Sequence, residues 1–150
     1  MARTSSTRDA THELVIKRTF DAPRELVWRA WNDAEHAKQW GPKGFTTPVR
    51  EMDLRPGGAW RALMIGPDGT QYRQHGIVRE VMAPERLAFT FIWDDDPAVE
   101  MLIAVTFTER DGKTDMIFRQ TGLPSADSRD GHRGGWTEAF DRLAEVIRAM

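Results

Sequence analysis

His132 is the residue of this sequence best suited to chemistry, because an imidazole can donate a hydrogen bond to a ligand or act as a general acid or base. It precedes Trp136 by four residues, so it extends the apolar stripe of the last predicted helix if that helix begins early enough. However, Gly131, Gly134 and Gly135 stand around it, and glycine disfavours a helix. The sequence therefore favours a loop that leaves His132 in solvent.

The other polar candidates lie on predicted strands. Arg18 falls on the apolar side of the first strand and Gln120 on the apolar side of the last, so both could orient a carboxylate or carbonyl group of a ligand. The alternative, slightly favoured, is that both stand at strand ends with their polar heads in water. Glu80 needs a partner if it is buried. Arg55 or Arg86 could supply one, which favours a structural ion pair over a general base.

Tryptophan is abundant, with 6 in 150 residues. Flat aromatic side chains suit the walls of a cavity that holds a planar hydrophobic molecule, and Trp60 and Trp136 are the best candidates for such walls. Packing in an ordinary core explains each of them about equally well. Trp31 is expected to pack between two short helices and the sheet.

Motifs for a metal, a phosphate or a nucleophile do not occur in the sequence. The 4 histidines lack the His-Glu-x-x-His spacing, and the run Asp94-Asp95-Asp96 lacks the alternating ligands of a calcium loop. There is no Gly-x-Ser-x-Gly elbow and no phosphate loop. The chain has no cysteine, which excludes thiolate chemistry and fits a cytoplasmic protein. Neither a cofactor nor a metal is expected.

The composition is that of an ordinary globular domain, with 40% hydrophobic residues, 29% charged residues and a net charge of -2. No basic excess indicates nucleic acid as a partner. No apolar run approaches the roughly 20 residues that span a bilayer, so membrane insertion is not expected. Residues 1–11 are polar and are predicted to form a disordered leader, which leaves 12–150 as a single domain.

The elements that must position these residues are mainly strands. Alternating apolar residues predict strands over 14–20, 45–53, 59–65, 71–81, 87–93, 100–108 and 114–120. Short turns join all but the first of them, and Asp111-Gly112 is a strong hairpin signal, so we expect an antiparallel meander. Two short helices are predicted after the first strand. Asp21 is the expected N-cap of one, with Pro23 in its first turn, and Asp33 is the expected N-cap of the other, which ends near residue 40.

A helix of about twenty residues is predicted to close the chain after the loop 122–128. Its apolar stripe comprises Trp136, Phe140, Leu143, Val146, Ile147 and Met150. Such a helix must lie against the sheet, which predicts an α+β fold in which a curved antiparallel sheet wraps around the C-terminal helix, with any cavity between them. The side chains expected to line that cavity are Trp60, Met64, Tyr72, Phe89, Phe91, Phe118, Gln120, His132, Trp136 and Phe140.

The strand 71–81 has the weakest pattern of the set. Its inner row is expected to be Tyr72, Gln74, Gly76, Val78 and Glu80. Gly76 would then allow close approach of another element, or mark a bulge.

Five stretches resemble a known family: FDAPRELVWRAW at 20–31, WGPKGF at 40–45, DLRPGGAW at 53–60, PERLAFT at 84–90, and Gly135-Trp136. Together they resemble the START-like (SRPBCC) superfamily, and within it the family named after the C-terminal domain of the heat-shock-protein-90 ATPase activator. The resemblance spans nearly all of 12–150 and implies a helix-grip fold with an internal cavity. In the wider superfamily such cavities bind lipids, hormones or polyketides, and some members are cyclases.

Three functional hypotheses follow from the residues and the resemblance. The leading one is a non-enzymatic protein that binds a small hydrophobic or aromatic molecule in the cavity. The second is a cyclase- or hydrolase-like enzyme that uses His132, Glu80 or Arg18, and it requires at least two of these groups to converge. The third is a module that activates a chaperone ATPase. A monomer and a homodimer both remain open, since an exposed strand edge could pair with a second copy.

Overall fold

Residues 12–150 are described by the computed structural model, so the leader predicted over 1–11 lies outside the described residues. They form a seven-stranded antiparallel sheet in the order β1-β7-β6-β5-β4-β3-β2. The strands are β1 Leu14–Phe20, β2 Thr46–Met52, β3 Ala59–Ile65, β4 Gln71–Met82, β5 Arg86–Trp93, β6 Met101–Arg110 and β7 Lys113–Thr121. From β2 to β7, strands that are consecutive in the chain are paired in the sheet, which confirms the predicted meander.

Three helices accompany the sheet: α1 Arg24–Asn32, α2 Ala34–Ala37 and α3 Ala126–Ala149. The N-cap position of α1 is Pro23 and not Asp21, and no side chain caps it, so that prediction was wrong. Asp33 does hold the N-cap position of α2, without a capping hydrogen bond from its side chain.

The last helix starts earlier than predicted, because its first turn is properly capped. The hydroxyl of Ser125 accepts a hydrogen bond from the backbone N–H of Ser128, and α3 then runs through all three glycines. Each glycine costs about 1 kcal/mol relative to alanine in a helix. Packing of the flanking His132 and Trp136 against the aromatic residues of the sheet outweighs that cost. The predicted loop at this point was wrong.

The turn between β6 and β7 shows why the sheet is a meander. Asp111 and Gly112 have φ angles of 54° and 78°, which are the left-handed values that a two-residue hairpin turn requires. This confirms the hairpin predicted from the Asp-Gly pair.

The core lies between α3 and the concave face of the curled sheet. On α3 the buried residues are Ala139, Phe140, Leu143, Val146 and Ile147. Phe140 packs edge-on against Phe118 of β7, with ring centroids 5.3 Å apart. Helix α1 covers the neighbouring part of the sheet, where Trp28 packs edge-on against Phe107 at 5.8 Å. The fold is therefore the helix-grip type of α+β architecture that the sequence predicted.

Strand β4 follows the predicted inner row only in its middle. Gln74 and Val78 are buried, whereas Tyr72 is 38% exposed. The pairing of β4 with β5 shifts between Val78 and Glu80, and this bulge turns Glu80 to the outer face.

Gly76 is the residue of β4 that allows close approach, as predicted. The Trp60 indole N–H crosses it to donate a hydrogen bond of 2.7 Å to the carbonyl of Thr90. A Cβ at position 76 would lie 2.4 Å from that indole nitrogen. The strand therefore tolerates only glycine where the indole passes.

Candidate functional site

A cavity of about 580 Å³ lies between the inner face of β2–β5, the short helices and the first half of α3. Its wall is mainly apolar, and large aromatic rings form much of it. The aromatic side chains in the wall are Trp31, Trp40, Trp60, Phe89, Phe91, Trp93 and Trp136.

These rings hold one another in fixed orientations. Phe91 packs edge-on against Trp93 with centroids 5.2 Å apart, and lies 5.5 Å from Trp60. Across the cavity wall, Trp31 stacks on Trp136 at 6.5 Å with an interplanar angle of 16°. Edge-to-face and offset-stacked contacts of this kind are favourable. The rings of the wall are therefore held in place by their contacts with one another.

His132 lies in this wall, on α3, and is not in solvent as the sequence favoured. Its Nε2 accepts a hydrogen bond of 3.3 Å from the indole N–H of Trp93, and its ring lies 5.9 Å from that of Phe91. Burial lowers the pKa of His132 from 6.5 to about 4, so the imidazole is neutral at pH 7. With Nε2 accepting, its proton sits on Nδ1, which has no acceptor among the described residues.

The glycines of α3 give the cavity its room. Gly131 and Gly135 are one helical turn apart and both line the cavity. A Cβ at Gly135 would meet nothing nearer than the ring of Pro42, at 3.9 Å. Gly134 lies on the exposed side of the helix with nothing within 4 Å of its own Cβ position. A side chain at 135 would thus enter the cavity, whereas one at 134 would enter solvent.

The structure brings only part of the predicted set to the cavity. The lining includes Trp60, Met64, Phe89, Phe91, His132 and Trp136. Phe118 and Phe140 lie behind the cavity, fully buried against Trp136 at 4.7 and 5.7 Å. Tyr72 lies outside, against Phe45 at 5.7 Å.

Gln120 and Arg18 do not converge. Gln120 is fully buried and its Oε1 accepts a hydrogen bond of 3.1 Å from the indole N–H of Trp136, so the prediction that its head reaches water was wrong. It fixes the orientation of a wall residue. Arg18 forms an ion pair with Asp141 on the opposite side of α3 and keeps 28% of its side chain exposed.

Glu80 is likewise outside the cavity. Its carboxylate accepts a hydrogen bond of 2.6 Å from Nε of Arg86, at the outer face of the sheet. This is the structural ion pair that the sequence favoured, with Arg86 as the partner.

Arg50 is the cavity residue that the sequence reading missed. Its guanidinium stacks 4.3 Å from the ring centroid of Trp40 and donates a hydrogen bond of 3.3 Å to the carbonyl of Ala37. Burial lowers its pKa to about 10, which leaves it charged at neutral pH. The register of β2 shifts between Thr46 and Val49, where Pro48 lies, and this places Thr47 and Arg50 in the same wall although they are three residues apart.

No group of three or more histidine, cysteine, aspartate or glutamate side chains within 12–150 is placed to hold a metal ion. No helix in that range has the length and apolar character needed to cross a bilayer.

A curled antiparallel sheet that grips a long C-terminal helix, with an aromatic cavity between them, defines a protein of the START-like class. More narrowly, the chain belongs to the family described as Activator of Hsp90 ATPase homolog 1-like protein, whose family model matches residues 21–148. The sequence has no match among curated proteins.

Solved structures agree with this assignment. The chain is similar to a protein from Chromobacterium violaceum, with 27% identity and a TM-score of 0.84 over 91% of this chain and 97% of that one. It is similar to the AHSA1 protein from Silicibacter pomeroyi, with 27% identity and a TM-score of 0.81 over 91% of this chain and 98% of that one. A protein from Mycobacterium smegmatis is 29% identical, with a TM-score of 0.76 over 94% of this chain and 91% of that one.

Proposed function

We propose that this protein binds a small, mainly apolar aromatic molecule in the cavity between α3 and the sheet. The observation that supports this most directly is the cavity itself, whose volume of about 580 Å³ falls inside the usual range of small-molecule sites. An ordinary core would have filled that space, since protein interiors are close-packed. Here Gly131 and Gly135 leave it empty at a cost in helix stability.

The test is a titration with N-phenyl-1-naphthylamine, a neutral aromatic dye that fluoresces in apolar surroundings. We expect saturable binding to the wild type. In Gly135→Phe the new ring enters the cavity, so dye affinity falls tenfold or more, which is about 1.4 kcal/mol. Gly134→Phe is the matched control, because it adds the same ring to the exposed side of the same helix and leaves binding within twofold.

Circular dichroism melts of both variants show that the fold is retained. Dye binding that is equal in the two variants would place the dye elsewhere on the surface. No saturable binding to the wild type would count against a cavity for aromatic ligands.

The enzyme hypothesis gains little from the geometry. Of its three candidate groups, His132 alone lines the cavity, whereas Arg18 and Glu80 hold ion pairs outside it. The requirement for two converging groups is not met by that set.

Family membership favours a second candidate, activation of a chaperone ATPase. The test is the steady-state ATPase rate of the host's Hsp90 with increasing amounts of this protein. Stimulation that survives Gly135→Phe would mean that this activity does not use the cavity. Absence of stimulation at saturating protein would remove the candidate.

A further inference from the structure

Two polar side chains of the cavity wall, Arg50 and Gln74, lie in one row of paired residues that crosses four strands. Arg50 of β2 is paired with Ala62 of β3, Ala62 with Gln74 of β4, and Gln74 with Trp93 of β5. At three strand spacings of roughly 4.8 Å, the row is about 14 Å long before the curl of the sheet shortens it. His132 stands over its far end, bonded to Trp93. The row therefore has a cationic end and a neutral end.

The cation at the first end has no counter-ion. No carboxylate of the described residues lies within ion-pairing distance of Arg50, whose contacts are a ring face and one backbone carbonyl. The acid of the lining, Glu51, is exposed and pairs with Arg61 at 2.8 Å instead. The other charged side chain in this part of the lining is Lys38, exposed at the rim. A charge held in a mainly apolar wall is stabilised by an anion, and no carboxylate of the described residues is placed to pair with this one.

The middle of the row has unused hydrogen-bonding capacity as well. Gln74 is only 6% exposed, lines the cavity, and its amide has no hydrogen-bond partner among the described residues. Buried polar side chains nearly always have a partner. An amide can donate to and accept from a ligand placed over it.

We propose that the ligand is an organic anion, with a carboxylate or similar acidic group against Arg50 and a planar apolar body that extends along the row over Gln74 towards Trp93. This deepens the proposed function and rests on it. Arg50 supplies two parallel N–H donors to a carboxylate, which favours such a group over a neutral carbonyl. The aromatic wall contacts the rest of the molecule.

The first test uses the wild type alone, so that it does not depend on a variant. Bound N-phenyl-1-naphthylamine is displaced with 1-naphthoate or with 1-naphthylmethanol, which share a ring system and differ in charge. We expect naphthoate to compete about tenfold more strongly, or better, as a charge-assisted hydrogen bond predicts. Equal competition would overturn the anion site while leaving the proposed function in place.

The second test assigns the charge preference to Arg50. The dye pair is 8-anilino-1-naphthalenesulfonate and N-phenyl-1-naphthylamine, which differ by the sulfonate. Arg50→Met should weaken the anionic dye about tenfold or more and leave the neutral dye within twofold, and Arg50→Lys should recover part of the loss. Arg73→Met is the control of equal charge change, because the Arg73 side chain is exposed, bonds only the side chain of Gln71 among the described residues and does not line the cavity.

The outcomes separate the two proposals. If Arg50→Met weakens both dyes equally, Arg50 supports the wall through Trp40 and does not select anions, which overturns the inference. An equal loss of the anionic dye in Arg73→Met would show that net charge alone is responsible, with the same consequence. If the wild type binds neither dye, the proposed function and the inference both fall.

Discussion

The replacement Gly76→Ala tests the packing that holds Trp60 in the cavity wall. An alanine Cβ would lie 2.0 Å from the carbonyl oxygen of Thr90 and 2.4 Å from Nε1 of Trp60. Both distances are far inside van der Waals contact. The carbonyl belongs to β5, which is held by pairing on both sides, so the indole is the group that can move.

The expected loss has two parts. Overpacking a rigid site costs about 1–3 kcal/mol. Displacing the indole also breaks its 2.7 Å hydrogen bond to Thr90 and leaves a buried donor and acceptor without partners, which costs about 1–3 kcal/mol more. The sum of about 2–6 kcal/mol is a large share of the 5–15 kcal/mol of stability typical of a domain.

Urea denaturation followed by tryptophan fluorescence measures this loss, and dye titration reports whether the wall is disturbed in the molecules that remain folded. Gly69→Ala is not a fair control, because Gly69 has a φ angle of +87°. Gly134→Ala is a fair control, since it adds the same methyl group without a clash. A loss below about 0.5 kcal/mol for Gly76→Ala would refute the argument, because it would mean that the strand can shift to accommodate the methyl group at almost no cost in stability.

Three further predictions follow from single contacts. Gly134→Ala should raise the free energy of unfolding by about 1 kcal/mol in urea, because it removes a glycine from an exposed helical position; no gain would mean that α3 is not helical there. Phe140→Ala should lower it by about 3–5 kcal/mol, since the ring is fully buried among other aromatic rings; a loss under 1 kcal/mol would contradict its place in the core. The folded-state pKa of His132 is about 4 against 6.5 when unfolded, so the unfolded chain binds the extra proton first and stability falls as the pH drops from 6.5 towards 4. In wild type compared with His132→Gln this should appear as an extra loss of about 3 kcal/mol; parallel pH profiles would contradict burial of the imidazole.

Much of the sheet could be predicted because its signals are local. Strand β3 matches the predicted 59–65 at both ends, since alternation of apolar residues and the flanking turn residues are properties of a few neighbours. The hairpin at Asp111-Gly112 is equally local. These features correctly predict the antiparallel meander. The apolar stripe of the last helix correctly predicts that this helix packs against the sheet.

The site was harder to predict because its geometry depends on contacts distant in sequence. The alternation of inward and outward residues along β2 is broken by a bulge at Pro48, so alternation alone does not place Arg50 on the inner face. Gln120 is buried because Trp136, on another element, donates to it. A polar residue near a strand end gives no sign of such a partner, so the sequence favoured a Gln120 side chain whose amide reaches solvent.

The glycines of α3 show how local rules fail beside the cavity. By propensity alone, three glycines in five residues predict a loop. The helix persists through them because Ser125 caps its start and the flanking side chains pack against the sheet. Two of the three lie where any larger residue would occupy the cavity. Such conflicts between local preference and observed structure are expected at functional sites, and this one coincides with the cavity proposed above as the ligand site.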